Sequence, residues 1–256
     1  MRGLTAVGFA RSDIALRLIS LVLLLLLWQV AGSLADSSLL PSPFAVGARL
    51  IRQVTQGDLL FHLGMTLFRV AASFIVAMTI GAVIGIVMGQ HRSVDRLFDL
   101  WLVLGLNLPA LVIMILCYVW LGLTDAAAIF AVALNKIPTV AVTMREGARA
   151  VDRDLLEVAE VLRLRWDRRL SKVYLPQLYP YFMASARNGL ALIWKLVLVV
   201  ELIGRSNGVG FELNVFFQYF DIAGVLAYTF AFIAVVLGVE MAAVRPLERR
   251  LTGWRQ

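Results

Sequence analysis

Six stretches of the chain, at about residues 14–34, 65–89, 97–122, 125–144, 183–203 and 222–243, are apolar over a length that can cross a bilayer. A spanning helix needs roughly 20 such residues, because each adds about 1.5 Å against a hydrocarbon core about 30 Å thick. In lipid every backbone N–H and C=O must find an internal partner, and for single runs of this length only a helix provides one. The sequence therefore predicts an all-α, polytopic membrane protein with about six transmembrane helices. Hydrophobic residues make up 61% of the chain and charged residues 16%, whereas a soluble domain carries roughly 25% charged. The 256 residues are largely used by spans and loops. A single transmembrane domain over 1–256 is expected, with an N-terminal helix at 14–34 and core helices over about 65–243.

The net charge of +7 would suit a nucleic-acid partner if basic and aromatic residues alternated on a soluble surface, and they do not. Topology explains the charge better. Outside the six runs, sixteen Lys and Arg fall on one side of the membrane and three (Arg49, Arg52, Arg205) on the other. Cytoplasmic loops carry the excess of positive charge, so both termini are expected in the cytoplasm. The single cysteine, Cys117, lies inside an apolar run and supports neither a disulfide framework nor a thiolate metal site.

The first run has a rival reading as a cleaved signal peptide. Arg11 and Arg17 flank the start of a Leu-rich segment, and Ser33-Leu34-Ala35 resembles a small-residue cleavage site. Its length, with Trp28 and Gln29 just before that site, favours a retained helix. The loop that follows contains Leu40-Pro41-Ser42-Pro43, an extended turn ahead of a short amphipathic helix. Gly81, Gly85 and Gly89 recur every four residues in the second run. They form a stripe without side chains where another helix can approach, or a groove lining a pore. The third run carries Asn107 and Pro109, and the fourth Asn135, Lys136 and Pro138; both are predicted to kink or open there.

The longest polar stretch, about 145–180, lies between the fourth and fifth runs. Leu155, Val158, Ala159 and Leu162 fall at i, i+3, i+4 and i+7, a helical stripe expected to pack inward while Glu157 and Glu160 face elsewhere. A second short helix is predicted over Trp166 to Tyr174, ending at Leu175-Pro176 because proline lacks the N–H to continue it. A helix-turn-helix of this kind is too polar for lipid and too short to fold alone, so it calls for a partner.

Glu157-Val158-Ala159, with Leu175-Pro176 at the expected interval, resembles the cytoplasmic Glu-Ala-Ala signature of type I ABC importer permeases. Leu40-Pro41-Ser42-Pro43, Trp120-Leu121-Gly122-Leu123, Glu201-Leu202-Ile203-Gly204 and Asn207-Gly208-Val209-Gly210-Phe211 are similar to motifs of the nitrate, taurine and aliphatic sulfonate branch. The resemblance implies the type I importer permease fold, with the 145–180 loop as the coupling element that docks on separate ATP-binding cassette subunits. It implies Glu157, Ala159, Arg163, Leu175 and Pro176 as ATPase-coupling residues. It also implies a second permease copy in a homodimer, a periplasmic or lipoprotein solute-binding protein, and the bacterial inner membrane. Arg163 stands where the family has glycine, and a positive φ there would cost arginine more than glycine.

No Gly-x-x-x-x-Gly-Lys-Ser/Thr segment occurs, so no cofactor is expected on this chain, and ATP and Mg are expected on partner subunits. Lys136 and Lys195 lie near the middles of their runs, with Asn188 seven residues before Lys195 on nearly the same helical stripe. Ionisable groups at such depth face a wet cavity or pair internally. Two readings follow: Lys136, Asn188 and Lys195 contribute to an anion-attracting translocation path, or the lysines pair with Asp99, Glu201 or Glu240. Arg69 and Arg187, nearer span ends, are expected to snorkel or pair. No catalytic or metal site is predicted, since His62 and His91 fall on opposite sides of the membrane in this topology. The competing function class is a self-sufficient channel or secondary transporter, which leaves the polar loop without a purpose. Secondary transporters often show two related halves, and no internal repeat is evident here.

Overall fold

The computed structural model describes residues 3–35 and 39–246. Arg2, Arg249, Arg250 and Arg255 of the charge count lie outside these residues. Among the described residues every regular element is helical: α1 (Gly3–Ala35), α2 (Pro43–Gln56), α3 (Leu59–Gln90), α4 (Arg92–Asn107), α5 (Ala110–Leu121), α6 (Asp125–Arg149), α7 (Arg153–Val161), α8 (Trp166–Arg169), α9 (Leu175–Gly204), α10 (Val209–Gln218) and α11 (Ile222–Val239). Two π-helical turns, Leu170–Tyr174 and Glu240–Val244, adjoin α9 and α11.

Four of the six expected spans are single helices long and apolar enough to cross a membrane: Leu18–Ala35 within α1, α3, α6, and Ile222–Ala242. The third is a broken pair, α4 and α5, bent by 98°. Leu108 and Pro109 at the break are extended, because proline excludes its predecessor from helical geometry. The remaining expected run, 183–203, falls within α9, whose 30 residues give about 45 Å of length, but Arg187, Lys195 and Glu201 interrupt its apolar sequence and it is not among the helices apolar enough to cross a membrane.

Two sequence expectations about proline are corrected. The fourth span does not break at Pro138; α6 runs through it from Asp125 to Arg149. Gly105 of α4 leaves the space, since a Cβ there would lie 2.7 Å from Pro138 Cγ. Nor does the second loop helix end at Leu175-Pro176. Helical structure is continuous from Trp166 to Gly204, with the π turn placed just before Pro176. There the Leu175 N–H reaches back to the Leu170 carbonyl, a wider turn that gives the proline ring room.

The described residues form two compact units, one of residues up to Leu60 with Glu212–Ile233, the other of Phe61–Phe211 with the residues from Ala234 onward. In the first, the Leu40-Pro41-Ser42-Pro43 turn is tied to α1. Trp28 Nε1 donates to the Pro41 carbonyl at 3.0 Å, and a Cβ on Gly32 would lie 2.9 Å from Ser42 Cα. Ser42 then caps α2, its hydroxyl accepting from the Ala45 N–H at 3.3 Å, with Pro43 at the first helical position, where the missing N–H costs nothing. From α2, Arg49 pairs with Asp221 at 2.7 Å. Phe216 and Tyr228 meet edge to face with centroids 5.1 Å apart.

In the second unit the glycine stripe of α3 is a packing surface. A Cβ on Gly81 would lie 2.6 Å from Val140 Cβ, one on Gly85 2.8 Å from Met144 Cβ, and one on Gly89 2.5 Å from Ala148 Cβ. Three successive turns of α3 thus lie backbone-close to α6. The core formed there contains Met78, Val140, Met144, Ala148, Val151 and Leu178, so α9 packs on the same layer and the polar loop leaves from a rigid base.

Candidate functional site

The polar loop begins with a side-chain cap. Asp152 precedes α7, and its carboxylate accepts from the Asp154 N–H at 2.9 Å, satisfying one of the free donors of the first turn. The Asp152 N–H donates to Gln177 Oε1 at 2.8 Å, and Gln177 Nε2 donates to the Val173 carbonyl at 3.0 Å. One glutamine therefore ties the start of α7 to the first turn of α9.

The end of α7 is a Schellman turn. Arg163 N–H donates to the Glu160 carbonyl at 2.8 Å and Leu164 N–H to the Ala159 carbonyl at 3.0 Å, the bond pattern that accompanies a left-handed residue. That residue is Arg163, with φ of 52°. The tight turn is formed with arginine at the position expected to need glycine, and the Arg163 side chain is exposed.

The predicted inward stripe of α7 is only partly inward. Ala159 is buried, but Leu155, Val158 and Leu162 are about half exposed or more; Leu156 is the residue that packs on the core. The helix is turned so that the apolar residues face outward, where they line a cavity of about 570 Å³ with Leu164, Val173 and Pro176. Of the expected coupling residues, Ala159 and Pro176 line this cavity. Glu157 is exposed, Arg163 forms the turn, and Leu175 packs against the core.

At the other end of α9 lies a buried polar cluster that the sequence reading did not assemble. Arg69 of α3 and Glu201 of α9 are both essentially inaccessible and pair at 2.6 Å. The Glu201 carboxylate also accepts from Thr66 Oγ1 and from the Gly210 N–H, each at 2.9 Å. Arg69 further donates from Nε to Asp125 at 2.8 Å, to the Asn207 carbonyl at 2.9 Å and to Asn207 Oδ1. The Gly208 N–H donates to His62 Nδ1 at 3.0 Å and the Val209 N–H to Thr66 Oγ1 at 2.8 Å. The Asn207-Gly208-Val209-Gly210-Phe211 motif is thus a backbone wrapped around one ion pair. Gly208 has φ of 107°, and a Cβ on it would collide with the Glu201 carboxylate. A buried ion pair is tolerated when its remaining valences are filled, and here they are.

The intramembrane lysines do not pair with the acids considered for them. Asp99 takes Arg145 at 2.7 Å, Glu201 takes Arg69, and Glu240 takes Arg187 at 3.4 Å. Lys136 is only 3% exposed, and its Nζ has no hydrogen-bond partner among the described residues. Its Cε lies 3.5 Å from the position of a Cβ on Gly189, so the aliphatic stem runs over a bare patch of α9. Lys195 and Asn188 are exposed on α9. The structure does not bring these three residues into one cluster.

The model of the family described as binding-protein-dependent transport system inner membrane component matches residues 77–252. The chain belongs to that family. Over 90% of its length the permease is 32% identical to 83% of a Bacillus subtilis (strain 168) protein named as an aliphatic sulfonates transport permease, SsuC. Over 91% it is 28% identical to 86% of the taurine transport system permease protein TauC of Escherichia coli (strain K12). Over 75% it is 26% identical to 73% of the nitrate import permease protein NrtB of a Synechocystis strain. Among solved structures, an amino acid ABC transporter chain superposes with a TM-score of 0.61 at 20% identity, covering 78% of the permease and 98% of that chain. The permease therefore has the type I importer fold of the nitrate, taurine and sulfonate branch. It is a multi-pass inner-membrane subunit of an ABC importer, a class that works with ATPase and solute-binding partners.

Proposed function

We propose that the permease forms, with a second identical copy, the translocation path for a small anion or zwitterion such as a sulfonate, taurine, nitrate or bicarbonate. Both termini and the 145–180 loop are cytoplasmic, in keeping with the positive-inside distribution of arginines. ATP-binding cassette subunits holding ATP and Mg dock on α7, and a periplasmic or lipoprotein binding protein delivers solute on the opposite face.

The observation that carries this reading is the outward-facing apolar stripe of α7. Leu155, Val158 and Leu162 surround a cavity of about 570 Å³ that no described residue fills, on a helix anchored at one end by Asp152–Gln177 and at the other by the Arg163 turn. An apolar face on a polar loop gains free energy only when another surface covers it. Glu157, exposed beside it, gives the dock a charged register mark. Closure of two ATPase subunits would move α7, and because α8 runs without interruption into α9, that displacement passes directly along a membrane-spanning helix. Lys136 and Lys195 then supply positive potential to the path, with Asn188 as a neutral donor. An ammonium buried without a carboxylate is suited to an anion that arrives transiently.

The test is uptake of labelled taurine, sulfonate, nitrate and bicarbonate by vesicles holding the assembled transporter. ATP-dependent uptake of one of these, reduced by changing Lys136 or Lys195, is expected. ATP-independent flux through the permease alone would overturn the reading in favour of a channel or secondary transporter.

A further inference from the structure

A second cavity, of about 1170 Å³, opens between the α3–α4 corner and the loop. It is separate from the apolar cavity on α7. Five guanidinium groups line it, Arg92 and Arg96 from the start of α4, Arg149 and Arg153 from either side of the α6–α7 turn, and Arg169 from α8, against one carboxylate, Asp95. Asp95 is already committed to Arg149 at 2.5 Å and Arg145 at 3.3 Å, and Arg169 reaches Glu160 at 3.5 Å. Arg92, Arg96 and Arg153 have no ion pair among the described residues. Like charges converging on one concave surface repel each other and raise the local affinity for an anion.

The surroundings specify which kind of anion. α3 is a membrane span ending at Gln90, so Arg92 and Arg96 occupy the first turns beyond the hydrocarbon. From there α4 presents Leu97, Leu100 and Trp101, each about two-thirds exposed, an apolar surface beginning one turn from the arginines. Trp166, 76% exposed, stands at the rim, the position aromatic side chains take at headgroup depth. Basic clefts between helices at the cytoplasmic boundary hold phosphate headgroups, while acyl chains follow the adjacent apolar face.

We propose that this arginine cleft binds the phosphate of an anionic phospholipid from the cytoplasmic leaflet. The leaflet assignment rests on the orientation proposed above. One wall of the cleft, Arg153 and Leu156, belongs to α7, and the opposite wall to α3 and α4. A phosphate bridging Arg92 and Arg96 to Arg153 braces the coupling element against the membrane-embedded core, and so makes transport responsive to the lipid.

The experiment compares the complete transporter, purified in detergent after reconstitution into phosphatidylcholine with or without phosphatidylglycerol, as wild type, R92Q/R96Q, R92K/R96K and R165Q/R168Q. The last pair removes the same charge from the 145–180 loop, at positions that do not line the cleft. Lipid retained per permease is read by native mass spectrometry. Wild type, R165Q/R168Q and R92K/R96K are expected to keep phosphatidylglycerol, and R92Q/R96Q to retain about tenfold less. Equal retention by R92Q/R96Q and wild type would overturn the proposal. So would thermal stabilisation of the delipidated complex by inorganic phosphate but not by phosphatidylglycerol vesicles, which would assign the cleft to a soluble phosphate. Loss of the ATPase subunit from R92Q/R96Q with unchanged lipid retention would also overturn it, by assigning the arginines to an acidic surface of that partner. Retention is read on the permease itself and is independent of whether an ATPase co-purifies.

Discussion

The Leu164 N–H donates to the Ala159 carbonyl at 3.0 Å, closing α7 through a left-handed residue that is arginine where the family pattern has glycine. The bond needs Arg163 at φ of 52°, a conformation that costs an L-residue with a Cβ about 1–2 kcal/mol. Arg163→Gly is predicted to keep the turn and raise stability by about 1 kcal/mol. Arg163→Val should lower it, because a β-branched residue tolerates positive φ least. Thermal unfolding in detergent, with amide exchange at Leu164 as the local readout, checks both directions.

Glu201 and Arg69 bury a charge each and share the Asn207–Gly210 turn. Removing Glu201 takes the fully buried carboxylate from Arg69, which keeps the partly exposed Asp125 and Asn207, so Glu201→Ala is expected to cost about 3 kcal/mol, the lower end for a broken buried pair. Gly208→Ala should cost roughly 3 kcal/mol through positive φ and collision with the same carboxylate. A double variant Gly208→Ala with Glu201→Ala is predicted to cost less than the sum of the two, since the collision is then gone. Unfolding midpoints of the four proteins decide this.

The α3–α6 contact depends on the absence of side chains at Gly81, Gly85 and Gly89. Gly85→Leu is expected to prevent assembly of the permease or destabilise it by several kcal/mol, more than the ~1–3 of an ordinary overpacked site, because backbone and not a mobile side chain blocks the way. Gly64, also on α3, has nothing within 4 Å of its Cβ position. Gly64→Ala should leave folding unchanged or slightly improved.

Lys136 is predicted to separate stability from transport. Replacing a buried, unpartnered ammonium by the similar volume of methionine removes a desolvation cost, so Lys136→Met should be as stable as wild type or more so. Anion uptake by the same variant is expected to fall about tenfold, a change equivalent to roughly 1.4 kcal/mol. Reduced stability with normal uptake would return Lys136 to a structural role.

Much of the fold was legible because its signals are one-dimensional. Run length predicted the long apolar helices, a four-residue glycine spacing predicted a close-packing stripe or a pore groove without identifying α6 as the neighbour, and Asn107 with Pro109 predicted a kink or opening where α4 meets α5. Signals that depend on a neighbour were less readable. Pro138 passes without a break because Gly105 of another helix makes room, and Leu175-Pro176 sits inside a helix because a π turn precedes it. The stripe of α7 showed the right period but not its direction. Periodicity identifies an apolar face, and only the attached segments, here the Asp152–Gln177 bond and the Arg163 turn, decide whether it points to the core or to a partner. The Arg69–Glu201 cluster was present in sequence as isolated charges 132 residues apart, and nothing local joins them.

The central claim is that α7 couples this permease to a separate ATPase, and it is tested by co-purification with hydrolysis measured in reconstituted vesicles. The permease is predicted to bring down an ATPase whose hydrolysis rises when the solute-loaded binding protein is added. Glu157→Ala should abolish most of that stimulation, about tenfold or more, without changing the unfolding midpoint of an exposed site. Full stimulation in Glu157→Ala, or solute flux through the permease in the absence of any ATPase, would contradict the account.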